Sequence, residues 1–205
     1  MKPCWVELNL PTIPQDLLMF LDPSAQQLEP NRSVKDIGYG KKQIKNGQEL
    51  IPCSYVNAAL AHEPLLQWLK EHLEFLNETN RFFFQYQTAG SHIVHTDLKR
   101  RYALNYIIED GGDNVVTAWY QQHNMPLVRQ TKQPGQQTDT GNVDYNELVE
   151  VDRVICVPHK WYLISTGILH DVDTVQTVRK SISLGFFNET VMDDLAPYWI
   201  TSEID

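Results

Sequence analysis

The chain changes its hydrophobic period once, near residue 80, and that change constrains its fold more than any other feature. Before it, Leu65, Leu66, Leu69, Leu73 and Leu76 recur at spacings of three and four, and Pro64 suits a first helical turn. This predicts a helix over 64–77. After it come short segments rich in aromatic and β-branched residues, separated by turn signals: Arg81–Thr88, Arg101–Ile108, Val115–Gln121, Leu148–Pro158, Trp161–Ser165 and Val178–Phe187. Glu109–Asn114 (Glu-Asp-Gly-Gly-Asp-Asn) reads as a hairpin turn joining two of them. Helix first and strands after, without strand–helix alternation, predicts an α+β chain with an antiparallel sandwich or barrel as its core. Residues 1–205 read as one domain: an N-terminal wrap with a support helix over 1–80, a core over 81–187 and a tail over 188–205. Further short helices are expected near Gln15–Leu21 and Val191–Leu195, and 122–147 reads as a long polar loop of the lid or binding type.

Three separated pieces carry the chemistry: His95-Thr96-Asp97, His170, and Arg179-Lys180-Ser181. Two imidazoles and one carboxylate are the ligand set of a mononuclear non-haem iron centre with open positions. Residues two apart on a strand share a face, so His95 and Asp97 project together, and so do Arg179 and Ser181. His170 must arrive from another strand. Arg179 lies nine residues beyond His170 (179 − 170 = 9). Its planar fork matches a carboxylate, and inside a barrel it would be costly without an anion.

In this order the pieces read HxD…H…RxS, and the chain resembles the Fe(II)/2-oxoglutarate-dependent dioxygenase superfamily, as a small prolyl-hydroxylase-like or phytanoyl-hydroxylase-like member. The run Arg100-Arg101-Tyr102-Ala103-Leu104-Asn105-Tyr106 also resembles the strand that follows HxD in many members. The resemblance covers roughly 80–187. It implies a double-stranded β-helix (jelly-roll) core with N-terminal helical support. It implies His95, Asp97 and His170 as Fe(II) ligands, and Arg179 on the distal carboxylate of 2-oxoglutarate, helped by Ser181. Asn105 is a further co-substrate contact if its strand faces inward. The implied reaction consumes O2 and 2-oxoglutarate, releases succinate and CO2, and hydroxylates a C–H bond of a small molecule or peptidyl side chain. Asp97 keeps the carboxylate that halogenating members replace.

Blander readings exist for each piece. His95 and Asp97 fit a loop pair, His170-Asp171 fits a turn, and Arg179 could pair with Asp171 or Asp173 on an edge strand. The chain then becomes a non-catalytic jelly-roll module, or a cupin-like metal-binding module that does without 2-oxoglutarate. The cupin-like form calls for more histidines than the spacing supplies. His92 reads as a loop residue, His62, His72, His123 and His159 as exposed helix or loop positions, and Lys41, Lys42 and Lys45 as a solvated cluster. Tyr102, Tyr106, Trp119, Trp161 and Tyr162 read as core aromatics.

A formal net charge of −9 disfavours nucleic acid or an anionic membrane as partner. Cys4, Cys53 and Cys156 form no CxxC pair and read as free thiols. The N-terminus lacks an apolar signal run, and no stretch approaches a membrane span. A cytoplasmic protein is the expectation.

Overall fold

The computed structural model describes residues 3–21, 35–36, 44–51, 53–76, 81–97, 100–122, 138–139 and 145–200. Most of the polar 122–147 loop, with His123, falls outside these residues, as do Lys41, Lys42 and the last five positions. In chain order the strands are β1 (Trp5–Leu8), β2 (Lys35–Asp36), β3 (Ile44–Lys45), β4 (Gln48–Glu49), β5 (Ser54–Ala59), β6 (Phe82–Gln87) and β7 (Gly90–Asp97). There follow β8 (Tyr102–Asp110), β9 (Val116–Gln122), β10 (Thr138–Asp139), β11 (Leu148–Ile155), β12 (Trp161–Ser165), β13 (Leu169–Val175) and β14 (Arg179–Phe186). The helices are α1 (Gln15–Leu18), α2 (Glu63–His72) and α3 (Val191–Asp194).

Two antiparallel sheets form the body, ordered β1-β12-β8-β14-β6-β5-β2 and β10-β7-β13-β9-β11. Their facing sides share a core in which Ala103, Ile107, Tyr162 and Ile164 of the larger sheet meet Trp119 and Val154 of the smaller. This is a two-layer sandwich consistent with the expected jelly roll. The larger sheet is buried on its other side too. There Phe82, Phe84, Leu104, Tyr106, Trp161, Leu163, Ile182 and Leu184 pack against Leu65, Leu69 and Leu73 and against Leu18 and Met192. Tyr106, Trp119, Trp161 and Tyr162 are core aromatics, as read from the sequence.

Helix α2 starts where Pro64 places it, but it ends at His72, five residues short of the expected 77. Leu73 leaves the helical region (φ −114, ψ 82) while its N–H still donates to the Leu69 carbonyl. Leu73 is buried with Leu65 and Leu69, and Phe75 and Leu76 pack on the same cluster. The leucine spacing therefore records burial beyond the point where helicity stops. Truncating Leu69, which is fully buried, costs about 2–5 kcal/mol.

Two expectations change. The first eighty residues do more than wrap the core: β1 and β5 are strands of the larger sheet, and Leu8, Ile13 and Leu18 belong to its outer core. The Glu109–Asn114 turn does not close a hairpin. β8 pairs with β12 and β14, whereas β9 pairs with β11 and β13, so the turn carries the chain from one sheet to the other. Gly111 (φ 91) and Gly112 (φ 119) make that corner, and a Cβ on Gly111 would come within 2.9 Å of Val175 and 3.1 Å of Arg179.

Candidate metal centre and anion pocket

His95 on β7 and His170 on β13 are cross-strand partners, with ring centroids 4.4 Å apart. Asp97 follows on the same face as His95. One of its oxygens, Oδ1, lies 3.8 Å from His95 Nε2, and its backbone N–H donates to the Thr166 carbonyl at 2.7 Å. The sequence parity for His95 and Asp97 therefore holds, and both line one cavity with His170 between the two sheets. His170 Nδ1–H donates to the Ile168 carbonyl at 2.8 Å. That fixes the tautomer with the proton on Nδ1 and leaves Nε2 as the donor atom, the arrangement in which metal-binding histidines are held.

The other oxygen of Asp97 is taken by Arg100, whose Nε sits 2.5 Å from Oδ2. Arg100 also donates from Nη1 to Ser183 Oγ at 3.2 Å and to the Tyr55 hydroxyl. Its aliphatic stem crosses Gly185, where a Cβ would meet Arg100 Cδ at 2.9 Å. Burial opposes ionisation of Asp97, but the guanidinium of Arg100 outweighs it and holds the carboxyl below its ordinary range. Burial pushes His170 down to about 3, with nearby His95 adding to the effect. Both groups are thus in the deprotonated forms that bind a metal.

The opposite wall comes from the larger sheet. Arg179, Ser181 and Asn105 all line the cavity, as do Gln85 and Gln87 of β6. Lys180 points the other way and pairs with Glu109 on the surface, while Ile182 lies in the outer core. Ser181 Oγ donates to Gln85 Oε1 at 3.0 Å. Arg179 is 8% exposed on the interior strand β14, not an edge, and Asp171 and Asp173 pair with Lys45 instead. Among the described residues Arg179 Nη1 has no hydrogen-bond partner, and neither do Asn105 Oδ1 and Gln87 Nε2. Unpartnered buried donors and acceptors cost about 1–3 kcal/mol each, and four such atoms among the described residues, counting one on His92, line this one cavity.

His92 is the residue the sequence reading misplaced. It is a buried strand residue, stacked on Tyr55 (5.1 Å) and 4.3 Å from the His95 ring. An odd spacing from His95 would send it to the far face of a regular strand. Along β7 three steps separate His95 from His92, but the partners on β13, His170 and Val172, are two steps apart. This bulge turns His92 back into the cavity. Lys45 also departs from expectation: it is half-buried against Asp171 and Asp173. His72 and His159 are exposed, and the three cysteines are free and buried.

The donor types fit a divalent iron site: two imidazoles with defined tautomers or partners and a carboxylate, all on one cavity wall. Among the described residues, however, no three His, Cys, Asp or Glu side chains close around a common point. The cavity has a volume of about 60 Å³, room for an ion and a few waters. No described helix is long and apolar enough to cross a membrane.

No family model matches the chain, and no curated protein does. Solved structures with a similar fold include the epimerase SnoN in complex with Fe3+, alpha ketoglutarate and nogalamycin RO (13% identity, 98% of this chain and 92% of that one, TM-score 0.49). A Pseudomonas putida prolyl-4-hydroxylase matches at 12% identity over 92% and 94%, with TM-score 0.41. A vicilin from Solanum melongena matches at 13% identity with TM-score 0.36, over 72% of this chain but only 31% of the vicilin. An epimerase, a hydroxylase and a vicilin at such scores leave the activity to be argued from the site itself.

Proposed function

We propose that the chain is an Fe(II)- and 2-oxoglutarate-dependent oxygenase that hydroxylates a C–H bond of a small molecule or peptidyl side chain, with succinate and CO2 as co-products. The observation that carries this reading is Arg179: a buried cation whose Nη1 lacks a partner among the described residues, in the same cavity as His95, Asp97 and His170. A jelly-roll module that merely holds a metal has no use for that cation.

In this reading His95, Asp97 and His170 hold the iron. Arg179 grips the far carboxylate of the co-substrate, with Ser181 Oγ and the Asn105 amide beside it. When bound, the iron supplies the activation of O2 that oxidatively decarboxylates the 2-oxo acid and oxidises the substrate. The protein's part is positional. The Ile168 carbonyl orients His170, and Arg100 holds one oxygen of Asp97 so that the other faces His95. His95 and His170 are buried between the two β-sheets, which limits their contact with bulk water.

Anaerobic addition of Fe(II) and 2-oxoglutarate is expected to give a weak visible charge-transfer band, and substrate-free turnover is expected to release succinate. His170→Ala removes both. A wild-type protein that binds neither iron nor 2-oxoglutarate overturns the proposal. Iron binding without 2-oxoglutarate binding would favour the cupin-like alternative.

A further inference from the structure

We infer that strand β11 is a docking edge for a second copy of this chain, pairing antiparallel with its own two-fold image. The strand lies apart from the polar cavity, and none of its residues lines it.

The two main sheets have four edges, and three of them are protected. β2 and β10 are only two residues long. β1 is covered by the tail: Asn9 N–H donates to the Tyr198 carbonyl at 2.7 Å, and Ile200 N–H to the Glu7 carbonyl at 2.9 Å. β11 is eight residues long and has β9 as its single partner among the described strands. It contains neither lysine nor proline, the usual guards of an open edge. Val149, Val151 and Ile155 are 41%, 39% and 51% exposed along it.

The order of its side chains fits a copy of itself. Glu150 stands opposite Tyr120 and Asp152 opposite Trp119, so Val151 is the extra residue of a bulge. On a regular strand, residues three or seven apart face opposite sides. Here the extra residue brings Glu150 and Arg153 to one face, where Arg153 Nη2 donates to Glu150 Oε2 at 2.8 Å. Leu148 lies on that face with Tyr120 and Tyr145. Asp152 and Val154 turn the other way, towards Trp5 and Trp119, which leaves Ile155 outward.

The outward row therefore reads Leu148, Glu150, Arg153, Ile155: apolar, acidic, basic, apolar. A two-fold axis midway between Val151 and Asp152 sets Glu150 against the second copy's Arg153, and Leu148 against the second copy's Ile155. Each contact then occurs twice, as an isologous interface requires. Opposite charges facing across antiparallel strands attract, and like charges repel. An unbulged strand centred between two residues would set outward side chains against inward ones. Bulges commonly turn an edge away from pairing; this one supplies the parity that two-fold pairing needs. Arg153 N–H donates to Asp152 Oδ1 at 2.9 Å, a bond within the strand that a partner's carbonyl can replace.

The test is sedimentation equilibrium on the full chain. The wild type is expected as a reversible dimer with twice the 23.7 kDa mass of the chain. Glu150→Arg places four arginines around the axis, and Arg153→Glu places four glutamates there. Each is expected to weaken the dimer at least about tenfold. Mixing the two variants is expected to restore dimers at wild-type affinity, because every charge then faces its opposite. That recovery also shows that both variants fold. A dimer indifferent to both variants, or a mixture no tighter than its components, overturns the inference. So does a wild type that stays monomeric up to about 100 μM. Hydrogen exchange at the β11 amides then shows whether the chain itself covers this edge.

Discussion

Strand β13 carries two buried polar clusters, one on each face, and they have opposite characters. On the inner face His170 joins His95, His92 and Asp97, and the cavity keeps unpartnered atoms on His92, Arg179, Asn105 and Gln87. On the outer face the next residue, Asp171, is 1% exposed and its Oδ2 accepts from Lys45 (3.2 Å), Tyr120 (3.0 Å) and Tyr145 (2.9 Å). Lys45 also reaches Asp173 at 2.9 Å, and Ser91 donates to the same carboxylate. There only Asp171 Oδ1 lacks a partner among these groups. The outer cluster brings its own counter-charge and closes on itself. The inner one leaves Arg179 Nη1, His92 Nε2, Gln87 Nε2 and Asn105 Oδ1 without a hydrogen-bond partner among the described residues. Alternation along a single strand thus separates a self-paired polar network from the one proposed to take a guest.

The largest expected effect tests this contrast through pH. His170 is held at about 3 against an ordinary 6.5 by burial and its neighbours, and His92 shifts the same way. Between these values the unfolded chain binds protons that the folded one refuses. Stability from the inner face is complete above pH 6.5 and falls as pH drops towards 3, by a few kcal/mol. Asp171 behaves oppositely: burial, only partly offset by Lys45, raises it from 3.8 to about 6. Its contribution is complete below 3.8 and is lost as pH rises through 6. Denaturant unfolding of the metal-free protein across this range is expected to show net loss on acidification. His170→Gln is expected to flatten the slope; an unaltered slope breaks the contrast.

Next in size, Arg179→Met is expected to weaken 2-oxoglutarate binding about a hundredfold, ~2.7 kcal/mol, while leaving the free protein as stable or more so. A large loss of stability would mean that the arginine is a structural group after all. Lys45→Met should do the reverse. It strips the counter-charge from Asp171 and Asp173 and costs about 2 kcal/mol in unfolding free energy, less than a fully buried pair because Lys45 is 20% exposed. Its metal affinity should stay at the wild-type level. The smallest effect sets the baseline: Lys180→Ala, on the outward side of the same strand as Arg179, removes the ion pair with Glu109 and should change stability by less than about 1 kcal/mol.

The parts of the site that follow strand parity were legible. His95 with Asp97, and Arg179 with Ser181, sit two apart, and that suffices to predict a shared face. Asn105 needed only the direction of its strand. His92 was illegible because its inward position depends on a bulge, and a bulge has no composition of its own here. Lys45 was illegible for another reason: its carboxylate partners lie more than 120 residues away, and nothing local distinguishes it from a surface lysine. The turn at Glu109–Asn114 shows a third limit. Glycines and asparagine report that the chain reverses, but hairpins and sheet-to-sheet corners need the same backbone freedom. What decides between them is where β9 finds partners.

That corner has a consequence for how the chain tolerates change. Gly111 lies where a Cβ would press on both Val175 and the Cβ of Arg179, at a φ that side chains resist. The glycine that lets the chain change sheets also sets the footing of Arg179, the proposed anion-binding residue. On the proposed function, substitution there is expected to weaken co-substrate binding through the base of the arginine side chain. In a saturation scan scored by activity, position 111 would group with the site residues while sitting in what reads, letter by letter, as an ordinary surface turn.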